Sequence, residues 1–221
     1  MFTALHGVNG LSTELPPMTD AALIIFTRNP ELGKCKTRLA ATIGDENALE
    51  VYKFLIRHTA QVTKNLPFDC FVYYSQQVHK DDYWDDTSYK KAVQTDGDLG
   101  LKMQTAFTEL FAKGYKYVAI IGSDLFDIRS EDLLSGMDKL KTHDAVIGPA
   151  HDGGYYFLGL KEELPQLFQN KNWGSDTVLE DTLSNLTNKS VASLPIRNDI
   201  DYFEDIKDKV EFKPFIPQHL L

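Results

Sequence analysis

Continuous runs of apolar residues mark the strands that the sequence predicts. Residues 22–27 and 117–122 are apolar at almost every position. Such runs are typical of strands that are buried on both faces of a parallel sheet. The other predicted strands are shorter or more mixed: residues 70–75, 92–95, 145–149, 155–160 and 191–194.

Helical spacing of apolar residues separates these runs. The pattern predicts helices over residues 45–65, 99–113, 130–141, 175–186 and 201–208. Gly114 is expected to end the second helix. Ser130 is the expected N-cap of the third, and Ser175 and Asp176 are expected to open the fourth.

The alternation of strands and helices predicts an α/β fold with a mostly parallel central sheet flanked by helices. One departure is expected near residues 145–160, where two strands are separated only by the turn-like segment from His151 to Gly154. Residues 1–20 look like a lead-in segment, and residues 21–221 are expected to form a single domain.

Composition narrows the function classes. The 221 residues carry a formal net charge of −9, which argues against nucleic acid as a partner because binding to a phosphate backbone needs a basic face. No apolar run approaches the roughly 20 residues that span a bilayer, and the N-terminus lacks a signal-peptide pattern. With only two cysteines, the chain is expected to be cytoplasmic.

A basic loop directly follows the first predicted strand. Gly33 would allow close backbone approach, and Lys34, Lys36 and Arg38 supply cations in a chain that is otherwise acidic. In open α/β sheets ligands bind beyond the carboxyl ends of strands, so the loop is a candidate phosphate site. It is no P-loop, because Arg28 stands where that motif needs glycine. The alternative is a solvated basic surface.

Asp124 is the strongest metal-binding candidate, and Asp152 is a second candidate catalytic carboxylate. Asp124 follows the buried run 117–122, beside a glycine that frees local space, and Mg²⁺ or Mn²⁺ prefers such oxygen ligands. The alternative for Asp124 is the role of a turn or cap residue. Asp152 could deprotonate an acceptor hydroxyl, but Asp-Gly is also a strong turn signal.

Four further residues are weaker candidates for a substrate pocket: Gly153, Gly154, Tyr155 and Trp173. The glycines could let a substrate approach the backbone, and the aromatic rings could stack on a base or flank an acceptor. Packing within a strand explains Tyr155 equally well, and packing is the favoured interpretation of Trp173. For Asp199 and Asp201, which precede a predicted short helix, acidic capping is the routine interpretation.

An ordered set of motifs resembles a known bacterial family. The matching segments are 26–30, 33, 36–39, 94–100, 122–124, 148–156, 173–175 and 199–201. The family comprises GT-A-like glycosyltransferases of the nucleotide-diphospho-sugar transferase superfamily, and it is similar to small nucleotidyltransferases such as phospholactate guanylyltransferase. The resemblance implies a GT-A-type, Rossmann-like fold and phosphate contacts by Lys36 and Arg38. It also implies metal ligation by Asp124, with Asp201 as a second ligand.

Together these features predict a metal-dependent transferase that uses a nucleotide, most simply a glycosyltransferase with a nucleotide-sugar donor and an unknown acceptor. A nucleotidyltransferase that joins a nucleoside triphosphate to a phosphorylated acceptor needs the same basic loop and the same carboxylate. A catalytically silent nucleotide-binding regulator is the third alternative.

Overall fold

The computed structural model describes residues 18–80 and 82–221, so the predicted lead-in at residues 1–20 lies almost wholly outside it. The strands of the described residues form one sheet in the order β3-β2-β1-β4-β6-β5-β7. Their bounds are Ala21–Thr27 (β1), Asp69–Tyr74 (β2), Tyr89–Val93 (β3), Tyr117–Gly122 (β4), Ala145–Pro149 (β5), Tyr155–Leu160 (β6) and Val191–Ser193 (β7).

Only β6 runs against the others. It lies between β4 and β5 and pairs antiparallel with both, whereas every other pairing in the sheet is parallel. The predicted fold class and its antiparallel excursion at residues 145–160 are therefore confirmed. The helices are Thr37–Ile43 (α1), Asp45–Thr63 (α2), Leu99–Ala112 (α3), Ser130–Leu140 (α4) and Val178–Ser184 (α5).

Strand β1 is buried on both faces, as its apolar run predicts. Leu23 and Ile25 pack into a core that includes Tyr52 of α2. Ala22 and Ile24 face the opposite core, together with Phe107 of α3. Because helices cover both faces of the sheet, the exposed edge at the carboxyl ends of β1 and β4 is the place left for a ligand.

Helix α1 was not predicted. It occupies Thr37–Ile43 and so includes the end of the predicted basic loop. Its buried residues Leu39 and Ile43 lie four apart on one face, but seven residues are too few to give a clear periodic signal. Arg38 therefore lies in the first turn of a helix rather than in a flexible loop.

The predicted N-cap at Ser130 is wrong. Arg129 is the N-cap residue, and the carboxylate of Asp132 accepts the N–H of Arg129 at 3.0 Å. The hydroxyl of Ser130 instead donates to the carbonyl of Val62 at 2.7 Å, which ties α4 to the end of α2. The side chain of Ser130 is therefore hydrogen-bonded to α2 and does not cap α4.

The fourth and fifth predicted helices are too long. Helix α5 begins at Val178 rather than at Ser175, whose hydroxyl donates to the carbonyl of Asn172 at 2.8 Å and closes a turn. In place of a helix over residues 201–208 there is one short 3-10 helix, Phe203–Asp205. Further 3-10 helices lie at Pro165–Phe168, Val210–Phe215 and Gln218–Leu220.

Among the described residues, no helix is both long enough and apolar enough to cross a membrane.

Candidate active site

A cavity of about 990 Å³ opens at the carboxyl ends of β1 and β4. Most of the residues predicted for the site line it, whereas Gly33 and Gly153 do not. The predicted residues that line it are Lys34, Lys36, Arg38, Asp124, Asp152, Gly154, Tyr155, Trp173 and Asp201.

Lys36 lies at the base of this cavity. Its backbone is left-handed, with φ 49° and ψ 47°, a conformation that is uncommon for a residue with a side chain. Its side chain is only 6% exposed, and its Nζ lies 2.9 Å from Asp124 Oδ2 and 3.9 Å from Asp201 Oδ1. Burial alone would lower the pKa of Lys36, but Asp124 and Asp201 raise it, so the ammonium stays charged.

Asp124 follows β4 directly, and a glycine makes room for its side chain. A Cβ at Gly122 would lie 2.8 Å from Asp124 Oδ1, so this glycine leaves space for the carboxylate, as the sequence predicts. Desolvation opposes ionisation, but the charge and hydrogen bond of Lys36 outweigh it and hold the pKa of Asp124 below its ordinary value. The side chain remains 42% exposed, so a ligand in the cavity can reach it.

The segment Asp199–Asp201 brings two carboxylates to the same cavity. Ile200 between them is fully buried, and its N–H donates to the carbonyl of Asp124 at 3.3 Å. Asp199 lines the cavity, although the sequence pattern predicted a structural role for it. The alternation of two carboxylates about one buried apolar residue is the signal that could have revealed it.

Capping does not explain Asp199 and Asp201, because Asp205 performs that function. Its carboxylate accepts the backbone N–H groups of Asp201 at 2.9 Å and Tyr202 at 2.7 Å, and also the side-chain amide of Asn198. Asp205 therefore orients the segment and leaves the carboxylates of Asp199 and Asp201 directed to the cavity.

The charged form of Asp199 is disfavoured in this site. Burial, and after it the charges of Asp124 and Asp152, raise the pKa of Asp199 to about 6, although Lys36 acts in the opposite direction. Lys36 thus offsets only part of the charge of Asp124, Asp199 and Asp201, and Arg38 pairs with Asp201 as a second cation.

The other cations of the loop are more exposed. Arg38 Nη1 contacts Asp201 Oδ2 at 2.6 Å, and its guanidinium lies 5.5 Å from the ring centre of Tyr202. Lys34 pairs with Glu31 at 2.7 Å and is 64% exposed. Gly33, with φ 73°, forms the turn that allows Lys34 N–H to donate to the Glu31 carbonyl, so its role is to shape the loop.

A buried hydroxyl network supports the loop from below. The hydroxyl of Tyr52 accepts the N–H of Arg28 at 2.8 Å and lies 3.3 Å from Ser123 Oγ, which in turn donates to Thr27 Oγ1. The network joins the ends of β1 and β4 to α2. It also places Arg28 in the cavity lining, close enough to help lower the pKa of Asp124. Neither Tyr52 nor Arg28 was predicted as a site residue.

Asp152 and its glycines form the turn before β6. Asp152 Oδ1 accepts the N–H of Gly154 at 2.9 Å, so the residue shapes the turn and also lines the cavity. Gly153, with φ 85°, packs against Asp176, where a Cβ would lie 2.1 Å from the carbonyl oxygen. Gly153 therefore serves packing, whereas Asp152 and Gly154 face the site.

Tyr155 and Trp173 form part of a wall on the α3 side. Tyr155 Oη donates to Met103 Sδ at 3.9 Å, and burial raises the pKa of this phenol. Trp173 Nε1 would lie 2.7 Å from a Cβ at Gly100, so the indole rests against the first turn of α3. Cys35 is buried, and its thiol donates to the carbonyl of Asn29.

The donor set suits a divalent cation that is shared with a ligand. No group of three or more potential metal ligands is close enough to hold an ion in residues 18–80 and 82–221. However, Asp124 and Asp201 both approach the ammonium of Lys36, so both already face a common cation. Mg²⁺ usually takes one or two carboxylates and completes its shell with phosphate oxygens and water.

Comparison with solved structures confirms the fold. A protein from Desulfovibrio desulfuricans G20, which bears the provisional name nucleotide-diphospho-sugar transferase, is 30% identical over 84% of each chain, with a TM-score of 0.77. The 4-diphosphocytidyl-2C-methyl-D-erythritol synthase from Anaerococcus prevotii DSM 20548 is 11% identical over 85% of this chain and 93% of that chain, with a TM-score of 0.55.

A manganese complex of a Mycobacterium tuberculosis H37Rv protein shares the fold as well. It is 11% identical over 87% of this chain and 99% of that chain, with a TM-score of 0.52. No curated protein sequence matches the chain. The relative from Desulfovibrio supports the expectation of a transferase.

The sequence profile of one family matches residues 58–175, which is more than half of the 221-residue chain. The match covers β2 to β6, including Asp124 and Asp152, and the family is described as an uncharacterized protein conserved in bacteria (DUF2064). This chain belongs to that family.

Proposed function

We propose that the protein is a metal-dependent transferase whose donor is a nucleotide-diphospho-sugar. The convergence of Lys36, Asp124 and Asp201 at the strand ends is the observation that carries the proposal. The name of the relative from Desulfovibrio supports the donor class.

The cations of the cavity would bind the diphosphate of the donor. Lys36, Arg38 and Arg28 lie in the lining near Asp124 or Asp201, and Lys34 stands at the exposed rim. An arginine can bind two phosphate oxygens at once, whereas lysine acts as a point charge. The buried ammonium of Lys36 would therefore fix the position of the phosphates and Arg38 their orientation.

Asp124 and Asp201 would hold Mg²⁺ or Mn²⁺ together with the phosphates. When bound, the ion would stabilise the negative charge that develops on the diphosphate leaving group. Arg28 would add charge stabilisation from the β1 side of the cavity. Asp205 and the Tyr52 network keep these groups in place before the ligand arrives, which avoids reorganisation during the reaction.

Asp152 would orient or deprotonate the acceptor hydroxyl. Its Oδ1 accepts the N–H of Gly154 and is thereby held in place, while the residue is exposed in the cavity lining. A carboxylate fixed by one oxygen can still accept a proton at the other. This role stays a prediction from position and chemistry.

A nucleotidyltransferase is the second candidate, and the number of cations favours it. Four basic residues of the segment that runs from β1 into the first turn of α1 line the cavity, Arg28, Lys34, Lys36 and Arg38, and that number suits a triphosphate as well as a diphosphate. In that reaction the same carboxylates would hold the metal against pyrophosphate.

Product analysis separates the two candidates. The purified protein is incubated with nucleotide sugars or nucleoside triphosphates, a panel of acceptors and Mn²⁺. Release of nucleoside diphosphate from a nucleotide sugar is the expected result. Release of pyrophosphate from a triphosphate would replace the first candidate with the second. Nucleotide binding without turnover of either class would favour the silent regulator, and absence of nucleotide binding would contradict all three.

A further inference from the structure

The cavity has a second wall that the phosphate-binding groups do not use. It is formed by Leu99, Lys102 and Met103 of α3 together with Tyr155 and Trp173. Most of this wall is apolar or aromatic, and Leu99 remains 44% exposed within it. A half-exposed leucine beside aromatic rings in a concave site is typical of a ligand-binding surface.

Close packing holds the wall in place. A Cβ at Gly100 would lie 2.2 Å from the carbonyl oxygen of Phe168 and 2.7 Å from Trp173 Nε1, so glycine allows the first turn of α3 to touch both residues. On the other side, the Tyr155 hydroxyl reaches Met103 at 3.9 Å. The wall is therefore formed in advance and does not depend on a ligand to assemble.

Lys102 is the one basic residue of this wall. It is half-buried, and among residues 18–80 and 82–221 no side chain or carbonyl forms an ion pair or hydrogen bond with its ammonium. Both other lysines of the cavity lining are neutralised: Lys34 pairs with Glu31, and Lys36 with Asp124. In a chain with a net charge of −9, a lysine without a carboxylate partner inside a cavity is suited to an anionic ligand.

We infer that this wall binds the acceptor, and that the acceptor combines an apolar body with an anionic group, a phosphate or a carboxylate, which pairs with Lys102. The inference rests on the proposed function, which assigns the opposite side of the cavity to the donor phosphates. The apolar body would pack on Leu99 and Trp173. Lys102 would then select charged acceptors over neutral ones of the same shape.

Small probes test the inference without knowledge of the natural acceptor. Inorganic pyrophosphate and Mn²⁺ first occupy the phosphate side, and phenyl phosphate, benzoate or benzyl alcohol is then titrated by calorimetry. We expect phenyl phosphate or benzoate to bind more tightly than benzyl alcohol. The anion that binds more tightly of the two shows whether the wall prefers a phosphate or a carboxylate. Lys102→Met should weaken binding of that anion by about tenfold or more, as expected when a hydrogen bond to a charged group is lost.

Matched variants decide the outcome. Lys102→Arg should keep binding within about threefold because it keeps the charge, and Lys113→Met, at the far end of the same helix, should have no effect. Trp173→Leu should weaken the binding of charged and neutral probes by a similar factor. Unchanged anion binding in Lys102→Met would overturn the inference. So would a loss of nucleotide binding in that variant equal to its loss of probe binding, because the wall would then hold the donor.

The proposed function fails by a different result. If wild-type protein binds no nucleotide, the donor assignment is wrong, but the comparison of phenyl phosphate, benzoate and benzyl alcohol between wild-type and Lys102→Met still reports on the wall.

Discussion

Single residues set the charge balance of the site, and Lys36 has the largest part in it. Its ammonium contacts both Asp124 and Asp201. These are the two carboxylates that are proposed to bind the metal ion. We therefore expect the proposed metal ion to compete with Lys36 until phosphate oxygens offer the ammonium another partner. Metal and nucleotide binding should accordingly be coupled, each strengthening the other by the same factor.

Lys36→Met tests this competition. We expect Mn²⁺ to bind the nucleotide-free variant about tenfold more tightly than wild type, a gain of about 1.4 kcal/mol. Nucleotide binding should weaken at the same time, because a phosphate contact is lost. Electron paramagnetic resonance of free Mn²⁺ measures the first effect directly.

Lys34→Met is the matched control, since Lys34 belongs to the same loop but pairs with Glu31 rather than with the metal candidates. It should leave Mn²⁺ binding unchanged. Equal Mn²⁺ affinities for wild type and Lys36→Met would show that Lys36 does not compete for the site.

The residues that sequence alone identified are those with local signals. Asp124 follows a buried strand and a glycine, and the basic loop follows β1, so both could be placed at the strand ends. Asp199 and Tyr52 were missed because their roles depend on distant partners. Asp199 can face the cavity because Asp205, and not Asp199, accepts the backbone N–H groups at the start of the 3-10 helix. Tyr52 contacts Arg28 and Ser123 only in the folded chain.

At the scale of elements, Arg197 joins two of the site loops. Its N–H donates to Pro149 and its carbonyl accepts from His151, so it pairs the segment before Asp199 with the loop that bears Asp152. Its guanidinium forms two hydrogen bonds of 2.8 Å with Asp132 of α4. This ion pair anchors both loops to a rigid helix.

Arg197→Met should therefore destabilise the protein. We expect a loss of about 3 kcal/mol in the free energy of unfolding, because the variant leaves Asp132 charged and only 14% exposed. Urea unfolding measures the loss. The double variant Arg197→Met/Asp132→Asn should lose less than the sum of the two single variants.

If the losses of stability in the two single variants add up to the loss in the double variant, the ion pair itself contributes nothing to the free energy of unfolding. Arg129→Met provides a control, since Arg129 is the exposed neighbour of the same helix start and makes no side-chain ion pair among the described residues.

Among the elements, buried strands were easiest to predict and short helices hardest. The apolar runs gave β4, β5 and β6 with their observed bounds. Helix α1 was missed, and the segments 175–186 and 201–208 were predicted as longer helices. In each case the local pattern is short, and tertiary hydrogen bonds, such as those of Asp205, decide where the helix begins.

At the scale of the whole molecule, the C-terminal segment closes a third core behind the site. Phe212 is fully buried there and packs edge-on against Phe54 of α2 and against Phe126, which follows Asp124 by two residues. Packing of the end of the chain thus supports the helix and the loop that carry the site. The strand pattern predicted the sheet, but nothing local predicted this contact, since the partners lie far apart in sequence.

Phe212→Ala should reduce the free energy of unfolding by about 3–5 kcal/mol, as for other large buried aromatic residues. Val210→Ala is the matched control in the same 3-10 helix, because Val210 is 67% exposed and should change stability by less than about 0.5 kcal/mol. Thermal or urea unfolding compares the two. Similar stabilities for both variants would contradict the proposed role of this core.

The proposed role of Asp124, to hold a metal ion against nucleotide phosphates, can be tested by the effect of Mn²⁺ on nucleotide binding. Calorimetry measures nucleotide binding to wild type and to Asp124→Asn, each with and without Mn²⁺, using the nucleotide that best stabilises the wild-type protein. We expect Mn²⁺ to tighten binding to wild type at least tenfold and to have little effect on binding to Asp124→Asn. Asp127→Asn, whose changed residue lies outside the cavity lining, should behave as wild type. Equal enhancement by Mn²⁺ in wild type and Asp124→Asn would contradict the proposed role of Asp124.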